Sequence, residues 1–129
     1  MLKYFIGYKQ RKALERALQG EEWEHFGDLI ERLKTTIATM PIPYDTDREG
    51  LEAKAILHYF KGSSDWWITE RDYMGEQLQA FGLACLNGDY LNAELGYISI
   101  QDLIENDVEL DLYYKPETIK EIKEKLYKK

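Results

Sequence analysis

The sequence predicts an α+β fold: an antiparallel sheet of four to five strands, packed by an N-terminal helical hairpin and a C-terminal helix. Three observations carry this prediction. Apolar residues recur at helical spacing in residues 1–40 and again after Pro116. Between them, short aromatic and β-branched runs are separated by turn residues. The connections between successive runs are short, which joins neighbours antiparallel, because parallel neighbours need long crossovers. Helices gathered before and after the strands, rather than interleaved with them, imply α+β and not α/β.

Each element has a local reason. Lys9 to Gln19 is rich in helix formers, with Ala13, Leu14, Ala17 and Leu18 on one side, and Gly20 stops it. From about Glu22 to Ala38, Trp23, Phe26, Leu29, Ile30, Leu33 and Ile37 make one apolar face. Glu21, Glu22 and Glu24 lie at its start, where the helix dipole favours negative charge. Residues 41–55 form a connector, because Pro41 and Pro43 forbid helix; residues 49–53 suit a single helical turn.

Residues 56–114 carry the sheet. Strands are expected at Ile56–Phe60, Trp66–Arg71, Gln79–Leu86, Leu95–Ile98 and Val108–Tyr114. The break at Lys61-Gly62-Ser63-Ser64 suggests a hairpin, and Asn87-Gly88-Asp89 is a turn signal. Ser99, with Asp102 three residues on, opens a short helix through Glu105. Val108 to Tyr114 alternates apolar and polar positions as a half-buried strand does. Pro116 is expected to begin a last helix over residues 115–129, with Ile119, Ile122 and Leu126 as its apolar stripe.

With 129 residues, 44% of them hydrophobic and 13% aromatic, the chain is expected to be one domain with a buried core. Its net charge is −7, unevenly spread. Residues 41–114 hold four basic residues (Arg48, Lys54, Lys61, Arg71) against fifteen acidic ones, a net of −11. Residues 1–40 net +1 and residues 115–129 net +3. An acidic balance argues against direct nucleic-acid binding and against an anionic membrane surface. The single Cys85 cannot form an intramolecular disulfide. No apolar run approaches the roughly 20 residues that span a bilayer, and the start, MLKYFIGYKQRK, has no cleavable signal pattern. A soluble, cytoplasmic protein is expected.

His58, Asp65, Glu70, Asp72 and Glu94 fall on neighbouring strands or the loops joining them. Carboxylates near a histidine can do acid–base work or hold a metal, yet charged residues on an antiparallel sheet more often line its solvated face. His25 and His58 lie in no helical metal motif, so no metal site is assigned. In Asp65-Trp-Trp-Ile-Thr-Glu70, alternation puts Asp65, Trp67 and Thr69 on one face and Trp66, Ile68 and Glu70 on the other. One tryptophan enters the core; the other lies under a helix or forms a surface anchor beside acids. Gly96 suggests close backbone approach or a bulge, and Tyr97 can offer its hydroxyl to a pocket. Cys85 sits in an apolar strand and reads as an inert thiol. No serine has a nucleophile-elbow context, and no phosphate-binding glycine loop is present, so no catalytic residue and no cofactor are assigned. The candidate binding residues are His58, Asp65, Trp67, Glu70, Asp72, Glu94 and Tyr97.

The ordered blocks His58-Tyr-Phe, Asp65-Trp-Trp-Ile-Thr-Glu70 with Asp72, Ala80-Phe-Gly-Leu83, Glu94-Leu-Gly-Tyr-Ile-Ser99 and Glu109-Leu-Asp-Leu-Tyr113 resemble the bacterial family termed domain of unknown function 2958. The resemblance spans about residues 53–118. It brings no established activity and no catalytic residue; it implies a small accessory protein of a phage, plasmid or conjugative element. The expected function is a non-enzymatic module that binds a protein partner through the acidic, aromatic-bearing sheet face or its rim. One version is anti-defence: acidic groups imitate nucleic-acid phosphates in the basic groove of a restriction or CRISPR nuclease. The rival is an enzyme or small-ligand binder with His58, Asp65, Glu70, Asp72, Glu94 and Tyr97 converging in one pocket.

Overall fold

The computed structural model describes residues 2–46, 48–73 and 75–128. Helices α1 (Tyr8–Ala17) and α2 (Trp23–Thr39) form the expected hairpin. Strands β1 (Lys54–Ala55), β2 (Leu57–Lys61), β3 (Ser64–Glu70), β4 (Ala80–Cys85) and β5 (Glu94–Ile98) follow. Then come α3 (Ile100–Glu105), β6 (Glu109–Leu110), β7 (Glu117–Thr118) and α4 (Ile119–Tyr127). The main sheet is antiparallel, in the order β5-β4-β3-β2-β6, and β1 pairs antiparallel with β7 in a second, two-stranded sheet. The fold is α+β.

The β2–β3 hairpin closes tightly, with Lys61 opposite Ser64 and Gly62 at φ +58°, a left-handed value that suits glycine. Alternation along the strands then sends side chains to two covered faces. On one, Leu57, Tyr59, Ile68 and Ala80 pack with Ile6, Leu14, Ile37 and Leu103, and Trp66 joins them partly buried. On the other, Trp67, Leu83 and Cys85 pack with Ile119, Ile122 and Leu126 of α4. Trp66 and Trp67 therefore both lie under helices. Tyr59 is fully buried, and its hydroxyl donates to the Phe5 carbonyl at 2.6 Å, tying the N-terminal segment to the sheet.

Helices on both sides leave the sheet without an open acidic face, which corrects the expectation of a solvated carboxylate side. Exposed acids such as Asp89, Glu94, Asp102, Glu105, Asp107 and Glu109 sit instead on turns, on α3 and at strand ends. Four boundaries also differ from expectation. Trp23 is 56% exposed and adds nothing to the apolar face of α2. The first expected strand, Ile56–Phe60, is β2 at Leu57–Lys61, and a short extra strand, β1, precedes it inside the expected connector. The last expected strand pairs only at Glu109–Leu110, because the Asp111 carboxylate accepts the Tyr113 N–H and turns the chain. Finally, α4 begins after Thr118, not at Pro116. Thr118 Oγ1 accepts the Glu121 N–H while Glu121 Oε1 accepts the Thr118 N–H, a reciprocal cap that fixes the start and leaves Glu117–Thr118 free to pair with β1. The Ser99 cap on α3 is as expected, accepting from the Asp102 N–H.

Candidate functional site

The face beneath α4 carries two separate polar clusters. The first is built on β2 and β3. His58 lies opposite Trp67, and Asp65 projects two residues further along β3 on the same face. His58 Nε2 is 2.8 Å from Asp65 Oδ1, and His58 Nδ1 is 3.2 Å from Asp111 Oδ2. Asp111 is itself anchored, since its backbone N–H donates to the His58 carbonyl. The imidazole stacks on Trp67, with ring centroids 5.2 Å apart and planes 13° apart. Tyr114 leans on the His58 ring, with centroids 5.5 Å apart, and donates its hydroxyl to the Ala55 carbonyl. Burial, the largest single influence, lowers the histidine pKa. The hydrogen bonds and charges of Asp65 and Asp111 together outweigh it, so the net pKa is raised. An acceptor on each ring nitrogen matches a doubly protonated ring. The cluster is a closed clasp, one imidazole held between two carboxylates that favour its charged form. Burial pushes the Tyr114 phenol up and keeps it neutral.

The second cluster depends on a β-bulge. The β3–β4 register shifts between Ile68 and Glu70, so Glu70 comes opposite Phe81. Strict alternation would have placed Glu70 with Trp66 and Ile68; the extra residue re-aims it to the Trp67 side. There it is buried, and its carboxylate holds the Pro-containing connector. Oε1 accepts the Tyr44 N–H at 3.1 Å, and Oε2 accepts the Thr46 N–H at 2.9 Å and the Thr46 hydroxyl. Tyr44 sits at φ +72°, a strained value for a non-glycine residue that this anchoring supports. Hydrogen bonds to a charged group contribute about 1.5–3 kcal/mol each, against a desolvation penalty of several kcal/mol for a buried carboxylate.

Glu70 lines a cleft of about 190 Å³ between the connector and the β4–β5 edge. Pro43, Tyr44, Phe81, Leu95 and Tyr97 supply its apolar and aromatic walls. The Phe81 and Tyr97 rings meet edge-on at 5.7 Å. Glu70 is the one charged residue among the described residues that line the cleft, and no described cation lies within ion-pair distance of it.

The candidate residues therefore do not converge. Glu70 and Tyr97 share the cleft. His58, Asp65 and Trp67 belong to the clasp, and Trp67 is buried as part of the core. Asp72 closes its own loop, its carboxylate accepting the Tyr73 and Gln79 N–H groups. Glu94 is exposed and pairs with Ala84, on the far face of the β5 edge. Among the described residues, no three His, Cys, Asp or Glu side chains are grouped to hold a metal ion. Sequence reasoning missed Asp111, Tyr114, Tyr44 and Thr46. Asp111 looked like one more solvated position in an alternating strand. Thr46 looked like linker, because a contact between a connector and a bulge has no periodicity.

No family model, no curated protein and no solved structure matches this chain.

Proposed function

We propose that this chain is a non-enzymatic protein-interaction module that receives an extended segment of a protein partner along the outer edge of β5. One observation supports this above the others. β5 is an outer strand of the main sheet, and it carries exposed Leu95 and Tyr97 beside the Glu70 cleft. An outer strand offers backbone donors and acceptors to an added strand, and neighbouring pockets read alternate side chains. Exposed Glu94 on β5 and the net charge of −7 favour a basic partner. The resemblance over residues 53–118 suggests the setting of a phage- or plasmid-type element. There, an acidic rim facing the basic groove of a restriction or CRISPR nuclease would be one use.

The alternative is an enzyme or ligand pocket built from His58 with the carboxylates and Tyr97. It is disfavoured, because His58 and Asp65 lie in a closed clasp, Glu70 and Tyr97 line a cleft that contains no histidine, and Asp72 and Glu94 lie in neither.

Affinity capture from the native host with wild type and with Leu95→Asp tests the proposal. The expected result is a partner recovered by wild type, lost with Leu95→Asp at unchanged circular dichroism, and weakened by salt, because exposed charges are screened over about 10 Å at 0.1 M ionic strength. A partner that both proteins retain equally would remove β5 from the interface. Recovery unchanged from low to high salt would remove the electrostatic component.

A further inference from the structure

We infer that the cleft beside β5 is a receptor for one cationic side chain, the ammonium of a lysine or the guanidinium of an arginine, carried by the bound segment. The source of that cation rests on the interaction-module proposal. The chemistry of the cleft does not, and it can be tested alone.

Four observations bear on it. Glu70 is 6% exposed, and the hydrogen bonds to its carboxylate come from neutral donors on the connector, so no counter-ion accompanies it among the described residues. Oε1 accepts one of those bonds and Oε2 two, while a carboxylate has about four acceptor positions in all. One acceptor position on Oε1 therefore remains for an incoming N–H. The walls contain Tyr44, Phe81 and Tyr97, and aromatic faces attract cations within about 6 Å of the ring centre. A carboxylate and aromatic rings in one lining suit a charged head with an apolar stem. An anionic or purely aliphatic side chain would leave this carboxylate uncompensated.

The closed clasp provides the internal contrast. His58 already stands between Asp65 and Asp111 and supplies their cation when protonated, so that cluster carries its own counter-charge. Glu70 has no such resident among the described residues.

The test uses the whole chain and small probes: N-acetyl-arginine amide, N-acetyl-lysine amide and the neutral isostere N-acetyl-citrulline amide. Amide resonances of Thr46, Glu70 and Leu95 report the cleft. Saturating shifts at these positions are expected with one or both cations, with the citrulline probe roughly tenfold weaker, a difference of about 1.4 kcal/mol. The stronger of the two cationic probes identifies the preferred head group. Tyr97→Ala should weaken the cations severalfold, and Glu70→Gln should abolish their preference over citrulline. Should Glu70→Gln fail to fold, the citrulline comparison and Tyr97→Ala decide. Equal response to all three probes, shifts confined to other parts of the molecule, or no shift at the solubility limit would each overturn the inference. If the probes fail while Leu95→Asp still loses its partner, the cation site falls and the interaction proposal stands. If the probes bind but no partner is captured, the reverse holds.

Discussion

Two carboxylate clusters sit on the same face of one sheet, and they solve the problem of buried charge in opposite ways. At the Asp65–His58–Asp111 clasp, two carboxylates share an imidazole from the neighbouring strand, and all three groups come from secondary structure or a turn hydrogen-bonded to it. At Glu70 one anion is held by backbone and hydroxyl donors from a connector, with no cation beside it among the described residues. The first arrangement is complete within the chain. The second is satisfied in hydrogen bonds but not in charge, and it faces a cleft. A perturbed histidine thus marks a closed ion cluster here, and the glutamate without a cation among the described residues marks the cleft.

Replacing the two anchors should separate these roles, and Glu70→Ala should have the largest effect. It strands the Tyr44 and Thr46 N–H groups and the Thr46 hydroxyl, so a loss of about 3 kcal/mol is expected in chemical denaturation. A loss below about 1 kcal/mol would mean that water satisfies the connector as well as Glu70 does.

His58→Gln comes next, at about 2 kcal/mol, because it removes the charge between two carboxylates that are only partly exposed. Its signature is pH dependence. The folded pKa of His58 lies above the ordinary 6.5. The stability it contributes is therefore fully present below the unfolded value and lost as pH rises through the folded one. The melting temperature of wild type should fall more steeply than that of His58→Gln between about pH 6 and pH 8. Parallel slopes would show that the clasp does not titrate in this range.

Tyr97→Ala should have the smallest effect on stability, within about 0.5 kcal/mol, because the ring is largely exposed at 64%. A larger loss would make Tyr97 a structural residue and weaken its assignment to the cleft.

Much of the fold was legible because periodicity carries it. The α2 stripe through Leu29 and Ile37, the hairpin at Gly62, the Ser99 cap and the Ile119-Ile122-Leu126 stripe are each readable from spacing or turn chemistry. The sites were less legible. Glu70 was singled out, but period-two alternation assigned it to the wrong face, since one extra residue at Thr69 inverts every inference beyond it. His58 and Asp65 were correctly grouped as strand neighbours. Their third partner, Asp111, depends on β6 pairing with the opposite edge of the sheet, a choice that local sequence does not encode.

That edge pairing has a further consequence for how the chain is made. β2 through β5 form consecutive hairpins and can assemble as the nascent chain leaves the ribosome, whereas β2 keeps one side unprotected until Glu109 and Leu110 emerge. A ribosome stalled before that point would present an unsealed strand, open to pairing with a second unfinished copy. The β2 edge is thus the part of the main sheet that is covered last, only once β6 has left the exit tunnel.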